Sequence, residues 1–296
     1  MGTERDNQVI RRRTLLTVAA GTAGLSASGI GTATANRSEG FRSVSRCPDA
    51  TIGTDMAPCE GASVDGCADD HPKTMELRER ARETIDTRYD TVGKLIDRGF
   101  VPYFDVKRPG TSSGWSHWLN PEYIGDHVLL DPDRPESVLV DNELWRPIGL
   151  MFIATIDGDP VDVPPTLYTQ DGAEDGIDGT DDTDDTDGRC SPWHYHRGLP
   201  GRFAWKYYRQ VYERDYRDGE LSIPCRTPCM MHVWAVPHPD GTHAHGAPPP
   251  ENRGGPPAND PGFDTDVDPD EEPLGWSVLP DAVVPDRKPR DLFGSW

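Results

Sequence analysis

Residues 157–188 carry twelve Asp and Glu and no Lys or Arg, and residues 246–296 carry eleven acids against four bases. Stretches so charged and so poor in apolar side chains bury too little to offset the entropy of ordering a chain. Core-forming sequence is thereby confined to two blocks, 73–156 and 189–245, that must meet across the first acidic stretch. A chain of 296 residues with this division is expected to form one domain, with 157–188 as an acidic disordered insert and 246–296 as a Pro/Asp-rich disordered tail.

Charge also limits partners. The chain has 30 Lys and Arg against 51 Asp and Glu, a net charge of −21. Nucleic acid is therefore excluded as an electrostatic partner, because phosphate neutralisation needs a basic face. Acidity of this Asp-rich, Lys-poor kind is that of halophilic surfaces, on which concentrated salt screens self-repulsion. Residues 189–245 are the exception, with eight bases against five acids.

The first 35 residues read as an address. Arg12-Arg13-Thr14-Leu15-Leu16 is a twin-arginine pair followed by apolar residues, and Ala33-Thr34-Ala35 is a small-x-small cleavage pattern. The expectation is a Tat signal peptide over 1–35, the Tat translocase as partner during export, and a secreted, extracellular product. Gly21, Gly24, Gly29 and Gly31 argue against a spanning helix, and no membrane anchor is expected after signal cleavage.

Residues 36–72 form an irregular Cys-containing lead-in. From Lys73, the residues Leu77, Ala81, Ile85, Tyr89, Val92 and Ile96 recur at three or four positions, which predicts one amphipathic helix over 73–98. Strands are predicted at Phe100–Val106, His117–Leu119, His127–Leu130, Ser137–Val140, Leu221–Ile223 and Met230–Val236. The continuous apolar run Ile148–Ile156 suits a buried central strand. Trp205, Tyr208, Val211, Tyr212 and Tyr216 predict a second, aromatic helix within Arg202–Arg217. The fold class is α+β: one long N-terminal helix on a small, mostly antiparallel sheet, in a single domain over 73–245.

The chemistry concentrates where the charge reverses. Six of nine histidines (194, 196, 232, 238, 243 and 245) fall within 52 residues. In Pro192-Trp193-His194-Tyr195-His196, the two imidazoles stand two residues apart, so a strand projects both from one face, as a shared metal requires. His232, inside an apolar strand, is a third candidate ligand. His243 and His245 lie in a Gly-containing loop and are weaker candidates, while His238 and His71 are expected to be dispensable. Blue copper is disfavoured because no Met follows His232. Cupin-type sites place a Glu soon after the H-x-H pair, and Arg197–Tyr212 contains none.

Six cysteines in an exported chain favour up to three disulfides, with fifteen possible connectivities. Cys225 and Cys229 beside His232 are alternatively thiolate ligands.

Several motifs occur in a fixed order: Arg88-Tyr89-Asp90; Gly114-Trp115-Ser116-His117-Trp118-Leu119-Asn120-Pro121; Asp131-Pro132-Asp133-Arg134-Pro135-Glu136; His232-Val233-Trp234; and Pro239-Asp240-Gly241. This series resembles a broad group of uncharacterised exported bacterial and archaeal proteins over about residues 80–245. The acidic insert departs from the group, and so does His238, which stands where Asn usually precedes the Pro. The resemblance implies no reaction. It does bring His117 and Asn120 forward as matching positions, and His117 as a fourth candidate ligand. Within Asp131–Glu136 a turn stapled by Arg134 and Glu136 is expected rather than catalysis.

Two functions are compatible with this pattern. One is a secreted metal protein with His194, His196, His232 and His117 around zinc, iron or copper, Arg197 and Arg202 orienting an anionic group, and a small-molecule ligand of unknown identity. The other is a non-catalytic, disulfide-braced binding module in which the same histidines and Trp115, Trp118, Trp193, Trp205 and Trp234 form an aromatic core or a carbohydrate-type platform. No nucleophile elbow, Walker loop or dinucleotide fingerprint is present.

Overall fold

A computed structural model describes residues 47–103, 114–170, 188–213, 223–286 and 288. The expected signal peptide over 1–35, the strand positions 104–106 and 221–222, and most of the acidic insert lie outside the described residues. The central apolar run becomes strand β5 (Arg146–Ile153), which sits in the middle of a seven-stranded sheet. Across the sheet the order is β1 (Met56–Pro58), β10 (His194–His196), β11 (Met230–Trp234), β5, β4 (Ser137–Asp141), β3 (Trp115–Leu119) and β2 (Val101–Tyr103). Every pairing is antiparallel. Both faces of β5 are covered, which explains its lack of hydrophobic alternation.

On one face, Trp118, Val138, Leu150, Phe152, Met231 and Val233 pack against Ala81, Ile85, Tyr89, Val92 and Leu95 from helices α1 (Pro72–Arg88) and α2 (Val92–Asp97). The predicted single helix over 73–98 is thus two helices. Tyr89 closes the first, its buried hydroxyl donating to the Asp133 carbonyl, and the Thr91 hydroxyl accepts from Lys94 N–H to start the second. The break lets Gly93 meet Gly262: Gly93 N–H donates to Pro261 O at 2.7 Å, and a Cβ on Gly93 would stand 1.9 Å from Gly262 O.

The opposite face carries Leu119, Leu139, Met151, Ile153, Met230 and Trp234, half-roofed by Trp205 and Tyr208 of the aromatic helix α4 (Leu199–Val211). This face is concave. β11 and β3 are three strand spacings apart, about 14 Å in a flat sheet, yet the rings of His232 and His117 are 5.6 Å apart. Gly149 permits the curl. It pairs with Trp234 on one side and Leu139 on the other, and a Cβ there would stand 3.0 Å from the Trp234 ring and 3.2 Å from Leu139 Cδ1.

Several expectations need correction. Residues 127–130 form a loop rather than a strand, because Asp126 Oδ1 accepts from Val128 N–H and Leu130 has φ 58°. Arg134 does not bind Glu136; it pairs with Asp126 at 2.8 Å, and Glu136 accepts from Ile153 N–H. The insert is ordered at its start: Thr155–Ile156 and Asp159–Pro160 pair as β6 and β7 across a turn at Asp157-Gly158, and Tyr168–Thr169 and Arg189–Cys190 pair as β8 and β9.

The tail is also ordered from 246 to 286. It has almost no secondary structure, but Leu274, Val278 and Leu279 are buried in the helix-side core, and Trp145 is held by it, donating to Glu272 O and stacking on Phe263. Few but well-spaced apolar anchors suffice because Leu274 and Ala258 N–H also bond Asn142 and Leu144 carbonyls of the β4–β5 turn.

All six cysteines are paired, as Cys47–Cys225, Cys59–Cys229 and Cys67–Cys190. The thiolate-ligand alternative is thereby closed. Each bond ties the lead-in to the segment 190–229.

Candidate metal centre

The H-x-H pair forms strand β10, whose ladder to β11 is a single rung, His194 opposite Met230. On the other side β10 pairs with β1 over all three residues. His196 is fixed further by Thr227, whose hydroxyl accepts from His196 N–H while its own N–H donates to His196 O. Both imidazoles therefore lie on the concave face, in line with Met230 and His232.

A third imidazole arrives from beyond β11. Gly241, with φ 98°, turns the chain back, and Thr242 is pinned twice, donating to Asp69 Oδ1 and accepting from Trp234 N–H. The Ala244 carbonyl accepts from Trp234 Nε1 at 2.8 Å, and His243 Nδ1 lies 2.9 Å from His232 O. The loop is thus laced to β11, and it carries His245 into the site. His194, His196 and His245 each offer a ring nitrogen within 4.8 Å of the others, and His196 Nε2 lies 3.5 Å from His245 Nε2. Ligands 2.0–2.1 Å from a tetrahedral ion stand about 3.4 Å apart.

His232 and His117 surround the trio without joining it as closely. The His232 ring is 5.6 Å from those of His194, His245 and His117. Trp115 and Trp234 meet its edges at 5.8 and 5.5 Å. Asn120, the other position singled out by the motif, caps the short helix α3 (Pro121–Ile124) through Glu122 and Tyr123 N–H. Its role is structural. His238 and His71 serve local turns, accepting from Asp240 and Lys73 N–H respectively.

The site favours neutral imidazoles. Burial, reinforced by His245 and His196, pushes His194 down to about 3, and burial with His117 and His194 nearby holds His232 well below its ordinary value. Both therefore keep a lone pair at neutral pH, the state a metal needs. His194 bonds the Pro192 carbonyl and His232 Nδ1 lies 3.3 Å from Ala244 O, while Nε2 of each is buried with no hydrogen-bond partner. A carbonyl on Nδ1 that directs the Nε2 lone pair inward is how histidine ligands are oriented. Buried polar atoms rarely go unpaired without a reason.

His196 and His245 of the trio line a cleft of about 820 Å³ bounded by Tyr103, Trp115, His117, Met151, Trp205 and Met230, among others. Gly201, at the start of α4, abuts His196; a Cβ there would lie 2.7 Å from His196 Cβ. The guanidinium groups of Arg197 and Arg202 have partners within the protein. Arg197 pairs with Asp55 at 2.9 Å, and Arg202 donates to the Pro224 and Thr51 carbonyls, so both fasten the lead-in.

The chain matches no protein-family model, no curated protein and no solved structure. No helix among the described residues is long and apolar enough to cross a membrane. His245, a weaker candidate from its sequence, is the residue that the structure places beside His194 and His196. The signal available for it was a second H-x-H, His243-Ala244-His245, a short distance from His232.

Proposed function

We propose that this is an exported metalloprotein in which His194, His196 and His245 hold one zinc, iron or copper ion, with His232 and His117 flanking it and an open position facing the cleft. The observation that carries the reading is the convergence of three imidazole nitrogens within 4.8 Å from two segments 49 residues apart. An all-imidazole donor set suits zinc, copper and iron and is poor for magnesium or calcium, which take oxygen. A three-histidine ion with an open position would lower the pKa of a bound water or accept a substrate atom. Three disulfides support an oxidising compartment and so an extracellular life. Export through the Tat route after cleavage near Ala35, into a saline medium, completes the proposal.

The test is metal analysis of untagged protein, followed by zinc and copper titration of the apo form. About one ion per chain is expected, falling below a tenth in His196→Ala and His245→Ala. A folded protein that binds no transition metal would favour the second reading, a non-catalytic module. In that reading the edge-to-face packing of Trp115, Trp234 and the imidazoles is an aromatic core.

A further inference from the structure

The cleft beside the histidines differs from the rest of the molecule in charge. More than a quarter of the chain is Asp, Glu, Lys or Arg, yet none of the described residues lining the cleft carries a carboxylate, ammonium or guanidinium group. In their place are Leu119, Met151, Ile153, Met230, Trp115 and Trp205, together with the imidazoles of His117, His196 and His245, of which the last two are adjacent, with rings 5.2 Å apart. The few hydroxyls are partly committed: that of Thr227 accepts from His196 N–H and donates to Pro228 O. Saccharides and phosphate esters are recognised by charged or amide side chains that pair with each hydroxyl or oxyanion. This surface supplies none among the described residues.

We infer that the cleft takes a small aromatic molecule with an uncharged body and a single oxygen or nitrogen head group, of the phenol or azole kind, the head directed to the histidine wall and the ring to the apolar wall. The volume, about 820 Å³, is that of sites for drug-sized molecules and exceeds what a bare water or anion would need. Indole rings at Trp115 and Trp205 offer faces and edges to an aromatic guest. Met151 and Met230 supply adaptable, polarisable contacts. Selectivity on this account comes from exclusion: a charge on the far end of the ligand would find no opposite charge among the described lining residues, where Leu119, Met151 and Ile153 stand.

The inference rests on the metal reading for its head group but not for its ring, so the two can be tested apart. The probes are imidazole, 4-phenylimidazole and 4-(imidazol-4-yl)benzoate. Their binding is read by the visible spectrum of the cobalt- or copper-loaded protein and, independently, by tryptophan fluorescence of the metal-free protein. On the loaded protein, 4-phenylimidazole should bind at least about tenfold more tightly than imidazole, the return for burying one phenyl ring. The distal carboxylate should cancel that gain. Trp205→Leu should narrow the phenyl advantage to about threefold or less while metal content is unchanged, and should that variant not fold, Met230→Gln replaces it. On the metal-free protein the neutral phenyl probe should still be preferred over its carboxylate. Equal affinity for imidazole and 4-phenylimidazole, indifference to the distal carboxylate, or displacement of the phenyl probe by millimolar maltotetraose would overturn the inference. Failure to bind metal with the phenyl preference intact would overturn the metal reading and leave this one standing.

Discussion

Arg253 and Asp141, 112 residues apart in the chain, form an ion pair at 3.3 Å with side chains only 7 % and 2 % exposed. The guanidinium also donates to the carbonyls of Gly114 and Pro248, both at 2.8 Å, and the other Asp141 oxygen accepts from Glu143 and Leu144 N–H. One arginine from sequence that reads as unstructured thus joins β3, the β4–β5 turn and the C-terminal segment.

Removing that arginine strands a buried carboxylate. Arg253→Ala should cost about 3–5 kcal/mol, seen as a lower midpoint in chemical denaturation and as early proteolytic cleavage beyond residue 246. A stability equal to that of the parent protein would show that the segment is held by its apolar anchors alone.

Glu136 governs a pH dependence. It is 2 % exposed, and burial is the main cause that raises its carboxyl to about 8 from an unfolded value near 4.5. The folded form therefore retains a proton that the unfolded chain has lost. The sign follows: this contribution is complete below about pH 4.5 and is lost as pH rises towards 8. Unfolding free energies at pH 5 and pH 8 should differ less in Glu136→Gln than in the parent, and an unchanged difference would refute the assignment.

His117 separates coordination from packing. Its ring is 4.7 Å from Trp115 and 5.6 Å from His232, beyond the close trio. His117→Ala should keep one ion per chain but weaken its affinity about 10- to 100-fold, the usual cost of losing a group that supports a ligand. Complete loss of metal, matching His196→Ala, would make it a ligand.

Gly149→Ala should be destabilising although the residue is small and lies in a strand. The added methyl would stand 3.0 Å from the Trp234 ring, 3.0 Å from the Val233 carbonyl oxygen and 3.2 Å from Leu139 Cδ1, so side chain and backbone must both give. About 1–3 kcal/mol is expected for overpacking of this kind. Because Trp234 Nε1 anchors Ala244, metal affinity should fall as well. A variant of parental stability would mean that the sheet flattens at no cost.

What the sequence reveals here depends on how local the determinant is. The H-x-H pair on a strand, His232 in an apolar run and the central strand at β5 are legible because periodicity sets which face a residue occupies. The position of His245 is not local. It depends on Gly241 turning, on Asp69 holding Thr242 from 173 residues away, and on the Trp234 indole reaching Ala244. The break at Tyr89–Thr91 is masked because apolar spacing runs through it, although the Thr91 cap on Lys94 N–H is local; the contact of Gly93 with Gly262 that accompanies it is not. The order of 246–286 rests on Arg253, Phe263, Leu274 and Leu279, whose partners lie elsewhere in the chain.

The single rung between β10 and β11 has a consequence for where this molecule can operate. Besides that rung, the panel that bears His194 and His196 meets the segment leading into β11 through the two hydrogen bonds between His196 and Thr227. Covalent bonds add to the Thr227 hydrogen bonds in holding the panel: Cys59–Cys229 bridges from the end of β1 to the start of β11, and Cys67 and Cys47 fasten the chain before and after it. In surroundings rich in thiols those bonds would open, and the imidazoles would part before the seven-stranded sheet came undone. On the proposed metal reading, retention of the ion would then be a property of the milieu as much as of the polypeptide, favoured where oxidants prevail and weakened where thiols abound.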